Sequence, residues 1–299
     1  MYSLALTSQI QFDILYQVQA KEGNKMIKVI DNMGFVKEVT PTVFPDTTKL
    51  LKVDIEVGPG DYTIIWLYDY DEELFQVIAI TKHLQAKGFG VNLRMPYIPN
   101  ARMDRVKSAN EVFTLKYFAH VINWLGFKNV YVANPHSNVS EALFDRLTVD
   151  FNCVTEDVAR ILNIHPDIDT IYYPDAGAHK KFGDMLSSIN LPYMYGEKIR
   201  DWKTGQINGL SIMNPQNFNG KTCLIVDDII SYGGSMFFSA IELQKMGFEN
   251  IYCYATHVEN SILNEERGKL IKLDCVKKIY TTNSIFRGEH EKIEIIRNF

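Results

Sequence analysis

The chain has 299 residues, 46% of them hydrophobic and 22% charged, with 31 Lys plus Arg against 36 Asp plus Glu. The formal net charge of −5 excludes a global positive field of the kind that draws a protein to duplex DNA or anionic lipid. No apolar run approaches the ~18 residues of a membrane span, and the first basic residue, Lys21, comes too late for a signal-peptide n-region, so a cytoplasmic protein is expected.

The apolar content suits one large core or two cores of about 150 residues each. The four cysteines, Cys153, Cys223, Cys253 and Cys275, form no CxxC pair and are expected as buried reduced thiols.

In chain order, the first 60 residues carry little pattern beyond FPDTT at Phe44 to Thr48. From Thr63 onward, short β-branched and aromatic runs alternate with stretches of helical period: TIIWLYD, then ELFQVIAITKHL, then GVNLRMPY. That alternation is the mark of βαβ units on a parallel sheet. YDYDEEL, after the first strand, clusters carboxylates and would repel a phosphate. GFKNVYVANPH from Gly126 and GFENIYCYATH from Gly247 echo each other, a glycine closing a helix before a buried strand that ends at His136 or His257. The carboxyl ends of strands are where open α/β sheets bind ligands.

PDAG at Pro174 to Gly177 is a good turn sequence, and the charges from Glu197 to Lys203 read as an extended loop. On such a loop Lys198 and Arg200 would point to the same side. VDDIISYGGSM comes next, with two carboxylates, a glycine pair and a helix. There, backbone N–H groups converge at a helix N-terminus and favour an anion, while Asp227 and Asp228 are placed to accept from sugar hydroxyls. Phe237, Phe238, Ile241 and Leu243 behind it read as core packing.

The chain also matches itself at a fixed offset. Thr63, Leu67, Asp69, Leu84, Gln85, Gly88 and Phe89 meet Thr222, Val226, Asp228, Leu243, Gln244, Gly247 and Phe248, each pair 159 positions apart. Two similarly built α/β domains are expected, residues 1–146 and 147–299, each with a mainly parallel sheet flanked by helices.

The GGS loop after two aspartates resembles the DDxxDTGGT motif of the phosphoribosyltransferase superfamily. MPYIPNARMDR (Met95 to Arg105) resembles the PYxxYARQDR segment of the ribose-phosphate pyrophosphokinase family, NPH (Asn134 to His136) its DLH segment, and PDAGAHKK (Pro174 to Lys181) its PDAGGAKR. EKIR falls at that family's flexible catalytic loop, TTNSI (Thr281 to Ile285) matches its C-terminal TNSI, and FPDTT resembles its F-S-D-G-E. The resemblance implies two phosphoribosyltransferase-like domains and diphosphate transfer from MgATP to the C1 hydroxyl of a ribose 5-phosphate unit, releasing AMP.

In that family's terms Lys198 and Arg200 are catalytic, Asp46, Arg102, Met103 and His136 bind ATP, and His136 and Asp175 hold Mg²⁺. Asp227, Asp228, Ser231, Tyr232, Gly233, Gly234 and Ser235 bind the ribose phosphate. A homo-oligomer, dimer-based or hexameric, is also implied. Several positions depart from the pattern: Ser231 replaces the third aspartate, Tyr232 the threonine, Met103 a glutamine and Asn134 an aspartate. Losing an anion and gaining an aromatic beside the phosphate loop makes a 5′-extended acceptor such as ADP-ribose, and hence a place in NAD metabolism, an alternative to plain ribose 5-phosphate. A nucleobase phosphoribosyltransferase and a non-catalytic regulatory homologue are the competing classes.

Overall fold

Thr222–Ile230 reads TCLIVDDII and is buried over most of its length, as a strand must be when both faces of a parallel sheet are covered. This strand sits in the middle of one of the two large sheets in the computed structural model, which describes residues 26–37, 39–55, 60–200, 207–214 and 220–299. The chain divides into two compact units, one running through Asp150 and including Asn298–Phe299, the other Phe151–Arg297. The division expected at 146/147 thus falls at the start of a strand, Leu147–Asp150, that completes the first sheet.

The first unit holds β1 (Ile27–Ile30), β2 (Val36–Lys37), β3 (Val39–Val43), β4 (Lys49–Val53), β5 (Asp61–Trp66), α1 (Glu73–Ala86), β6 (Gly90–Arg94), α2 (Thr114–Leu125), β7 (Val130–Ala133), α3 (Asn138–Leu143) and β8 (Leu147–Asp150). Its sheet runs β2-β1-β5-β6-β7-β8, with β5 to β8 parallel and β1 antiparallel to both neighbours. β3 and β4 form a separate antiparallel hairpin. Trp66, Val77, Leu84, Leu93, Leu115 and Phe118 fill the core between sheet and helices.

The second unit holds α4 (Asn152–Ile164), β9 (Thr170–Tyr173), α5 (Ala176–Phe182), β10 (Tyr193–Arg200), β11 (Ile207–Met213), β12 (Thr222–Ile230), α6 (Gly234–Lys245), β13 (Asn250–Val258), β14 (Val276–Thr282) and β15 (Ile293–Arg297). The sheet order is β11-β10-β9-β12-β13-β14-β15, and every neighbouring pair except β10 with β11 is parallel. Two short 3-10 turns, Asn260–Leu263 and Leu270–Lys272, lie between β13 and β14. Both units are therefore α/β with mostly parallel sheets, as the alternation predicts.

The internal match has a structural counterpart. α1 ends at Ala86 and α6 at Lys245, 159 positions apart. After each, a glycine takes a left-handed conformation, Gly88 at φ +87° and Gly247 at φ +103°. The next amide then donates back to a helical carbonyl, Phe89 N to Leu84 O at 3.2 Å and Phe248 N to Leu243 O at 3.1 Å. All four cysteines are buried and free, and burial pushes the Cys223 thiol well above its ordinary value.

Candidate functional site

β9 and β12 are parallel neighbours, so their carboxyl ends lie at the same edge of the second sheet. β9 delivers Asp175 there and β12 delivers Asp227 and Asp228. Asp175 caps α5, its Oδ1 accepting from Ala178 N at 3.0 Å. The Asp228 amide donates to Asp227 Oδ1 at 2.8 Å, and Lys181 Nζ lies 3.4 Å from Asp228 Oδ2. Burial pushes the Asp227 carboxyl well above the ordinary carboxylate range, and the charges of Asp228 and Asp175 push the same way against the Asp228 amide. Three carboxylates thus crowd one sheet edge, with a lysine from α5 beside them.

Next along the chain is the phosphate-loop candidate. Gly233 has φ +81°, and a Cβ there would stand 2.9 Å from Leu270 Cβ, so both the backbone and the packing demand glycine. Gly234 opens α6 with free space around it, and Ser235 lies exposed in the first turn. Ser231 Oγ is 3.2 Å from Ser261 Oγ, and Ser261 donates to Glu259 Oε2 at 3.1 Å. The carboxylate missing at position 231 therefore has a counterpart two hydrogen bonds away. Tyr232 presents its ring to Arg267, whose guanidinium carbon is 3.6 Å from the ring centroid.

Lys198 and Arg200 require a correction. The segment read as a charged loop is strand up to Arg200, paired with β11 as Lys198↔Leu210 and Arg200↔Ile207, with a register shift between Ile199 and Arg200. Backbone pairing with β11, continuing a strand whose first residues Tyr193 to Tyr195 also pair with β9, outweighs the charged and glycine content that signalled a loop. Residues 201–206, Asp201 and Lys203 among them, lie outside the described residues. The base of the hairpin is held by aromatic stacking that sequence reading missed. The His179 ring on α5 lies parallel to Tyr195 with centroids 4.4 Å apart, and 5.0 Å from Tyr193. Two tyrosines spaced by two on a strand share a face, which was the available signal.

In the first unit, Ala101 to Arg105 and Pro135 to Ser137 approach each other through Asp104. Burial acts to raise the Asp104 carboxyl, but the hydrogen bond and charge of Arg105, the nearby Ser137 hydroxyl and the charge of His136 hold it below the ordinary value. Asp104 was not singled out from the sequence, although it stands between two predicted ATP-site positions and Arg105. Arg102 is exposed beside it, and Met103 is half-buried with its amide donating to Asn100 O at 2.8 Å. His136 lies three residues beyond β7 instead of at the strand end itself. Asp46 sits at the exposed tip of the β3–β4 hairpin, where its Oδ1 accepts from Thr48 N at 3.1 Å and Thr48 Oγ1 at 2.6 Å.

The proposed metal pair is divided between the units, His136 in the first and Asp175 in the second. No cluster of three or more His, Cys, Asp or Glu arranged to cage a metal occurs among the described residues. An all-oxygen set of crowded carboxylates fits a hard cation that takes most of its ligands from phosphate and water, as Mg²⁺ does. His257 has a structural place: it is buried within β13, Nδ1 lies 2.9 Å from Ser284 Oγ, and Thr282 and Ser284 both bond Thr256 O. The acidic turn after β5 is likewise structural in part, since buried Glu73 accepts from Trp66 Nε1 at 2.8 Å and from Asp69 N at 3.0 Å.

No family model matches the chain. It is similar to proteins named ribose-phosphate pyrophosphokinase from Saccharolobus solfataricus, 25% identical over 266 residues covering 86% of this chain and 88% of that one, and from Thermococcus kodakarensis, 28% identical over 232 residues covering 74% and 78%. A phosphoribosylpyrophosphate synthetase structure from Mycobacterium smegmatis superposes with a TM-score of 0.68 at 17% identity, covering 89% of this chain and 87% of that one. That superposition speaks for the fold. No helix among the described residues is long and apolar enough to cross a membrane.

Proposed function

We propose, from the similarity to proteins named ribose-phosphate pyrophosphokinase, that the chain is a diphosphokinase of that family acting between MgATP and a ribose 5-phosphate unit. The C1 hydroxyl oxygen of the acceptor attacks the β-phosphorus of ATP, the bond from that phosphorus to the α–β bridging oxygen breaks, AMP leaves, and the hydroxyl proton is released. The observation that carries the reading is the β12–α6 turn, where Asp227 and Asp228 lie near the end of a buried strand that runs to Ile230, Gly233 caps the helix and Gly234 opens it. Helix N–H groups suit the 5-phosphate, and the carboxylates just upstream suit ribose hydroxyls.

Charge accumulates on the transferring phosphoryl oxygens, so the reaction needs positioned cations more than covalent chemistry. Lys198 and Arg200 on β10 are assigned that task. Arg102 and Met103, beside the Asp104 junction, are assigned to ATP, together with His136 and Asp46. Bound Mg²⁺ would neutralise phosphate charge, and Asp175 at the carboxylate edge of the second unit is assigned to it. Lys181, ion-paired with Asp228, keeps that carboxylate oriented toward the sugar side.

The acceptor is ribose 5-phosphate or a 5′-extended form of it, with ADP-ribose the first candidate. Tyr232 and the neutral Ser231 favour the extended form, because an aromatic face borders whatever lies past the 5-phosphate. The test is incubation with MgATP and each acceptor. AMP formed with either one supports the reading. Diphosphate release that depends on an added nucleobase would instead indicate a nucleobase phosphoribosyltransferase, and no turnover of either kind a non-catalytic homologue.

A further inference from the structure

The segment between β13 and β14 closes over the glycine loop at three successive residues. Ser261 meets Ser231, Arg267 meets Tyr232, and Leu270 abuts Gly233. The turn that carries Arg267 is fixed by its own hydrogen bonds: Asn264 Oδ1 accepts from Glu266 N at 3.1 Å and Arg267 N at 2.9 Å, while Gly268 N donates to Asn264 O at 2.8 Å. Gly268 permits this because a Cβ there would fall 2.0 Å from Ile262 O. The root of the Arg267 side chain is therefore held in place although its head is exposed.

Among the described residues Arg267 makes no ion pair, even though Glu265 and Glu266 share its turn. Arg297 in the same unit, by contrast, binds both Glu156 and Asp157. Stacking on Tyr232 occupies one face of the guanidinium and leaves the in-plane N–H edge available, which is the edge that grips a phosphate bidentately. Tyr232 is the residue immediately before Gly233, so that edge stands beside the loop assigned to the 5-phosphate.

Resting on the diphosphokinase reading of this turn, we propose that Arg267, steadied on the Tyr232 ring, binds a second phosphate joined to the 5-phosphate and so selects acceptors of the ribose 5′-diphosphate class. The single 5-phosphate is held by the glycine loop, and Arg267 meets only what extends beyond it.

The experiment measures binding of ADP-ribose and of ribose 5-phosphate by titration calorimetry to the full chain, with AMP formation from MgATP read in parallel. Wild type, Arg267→Ala, Arg267→Lys and Tyr232→Leu are compared, the last removing the ring under the guanidinium. ADP-ribose affinity should fall at least 10-fold in Arg267→Ala and less in Arg267→Lys and Tyr232→Leu, and ribose 5-phosphate affinity should change less than 3-fold in both Arg267 variants. Equal losses for both ligands would make Arg267 a prop for the glycine loop and overturn the proposal, as would unchanged ADP-ribose binding in Arg267→Ala or no ADP-ribose binding by wild type. If AMP forms with neither acceptor while Arg267→Ala still loses ADP-ribose selectively, the diphosphokinase reading fails and the second phosphate site stands.

Discussion

Asp227 is half-buried with its carboxyl facing two others, and its raised affinity for a proton has consequences that do not depend on any ligand. A carboxyl whose native pKa exceeds its unfolded value holds more protons folded than unfolded between the two. The associated stability is complete below the unfolded value of about 3.9 and is lost as pH rises through the higher native one. Asp227→Asn removes that loss, so its melting temperature should gain on wild type steadily as pH is raised from 4 to 8 in metal-free buffer. A constant difference across that range would show that Asp227 is not the group that titrates. Lys198→Ala should lower kcat by about 10²–10³-fold while leaving ATP binding within a few-fold, because a cation needed mainly at the transferring phosphoryl group acts on the transition state. A kcat within 3-fold of wild type would remove Lys198 from the mechanism. The sequence exposed these positions because charge and glycine at fixed spacing are local signals. It did not expose Glu259, which reaches Ser231 only through Ser261, nor Arg267, which lies 35 positions beyond Tyr232 and meets it only in the fold.

The same contrast between local and non-local signals runs through the secondary elements. α1 and α6 were legible because helical period, closing glycine and the next strand are all written within some 20 residues of chain. The β10–β11 hairpin was not, because YMYGEKIR mixes apolar alternation with glycine and charge, and its strand character comes from flanking β9 and β11. Helix closure also gives a quantitative test of the repeat. Gly88 and Gly247 both have left-handed φ, and neither would meet any atom within 4 Å through an added Cβ, so alanine at either site suffers only the backbone penalty. Gly88→Ala and Gly247→Ala should therefore each destabilise by about 1–2 kcal/mol in urea titrations, and by similar amounts. A cost below 0.5 kcal/mol at either position, on the order of an ordinary surface substitution, would mean that the left-handed closure is not retained there.

At the scale of the whole molecule, the two units share a plan and differ in the segment after the equivalent strand: buried Glu73 bonded to Trp66 in the first, an open glycine turn in the second. The duplication was legible from seven identical or similar pairs at one offset, whereas the first 60 residues were not, because a short hairpin set beside the main sheet has no repeat partner and little periodicity. That hairpin bears on assembly. Val43, Phe44 and Leu50 are 62%, 47% and 42% exposed on it, while Leu51 and Val53 pack against the first core and fix it in place. A two-stranded hairpin with apolar side chains facing water is marginal by itself, and these exposed side chains near its tip are where contact with another chain is expected. With a net charge of only −5, self-repulsion offers little opposition to pairing of identical subunits. Light scattering on the purified protein should therefore give a mass that is a multiple of the 34.4 kDa chain. The double substitution Val43→Ser, Leu50→Ser should shift that mass downward without changing the far-ultraviolet circular dichroism, since both positions point to solvent in the single chain. A wild-type protein that stays monomeric at tens of micromolar would sink the prediction, and an oligomer indifferent to the double substitution would move the contact to another face.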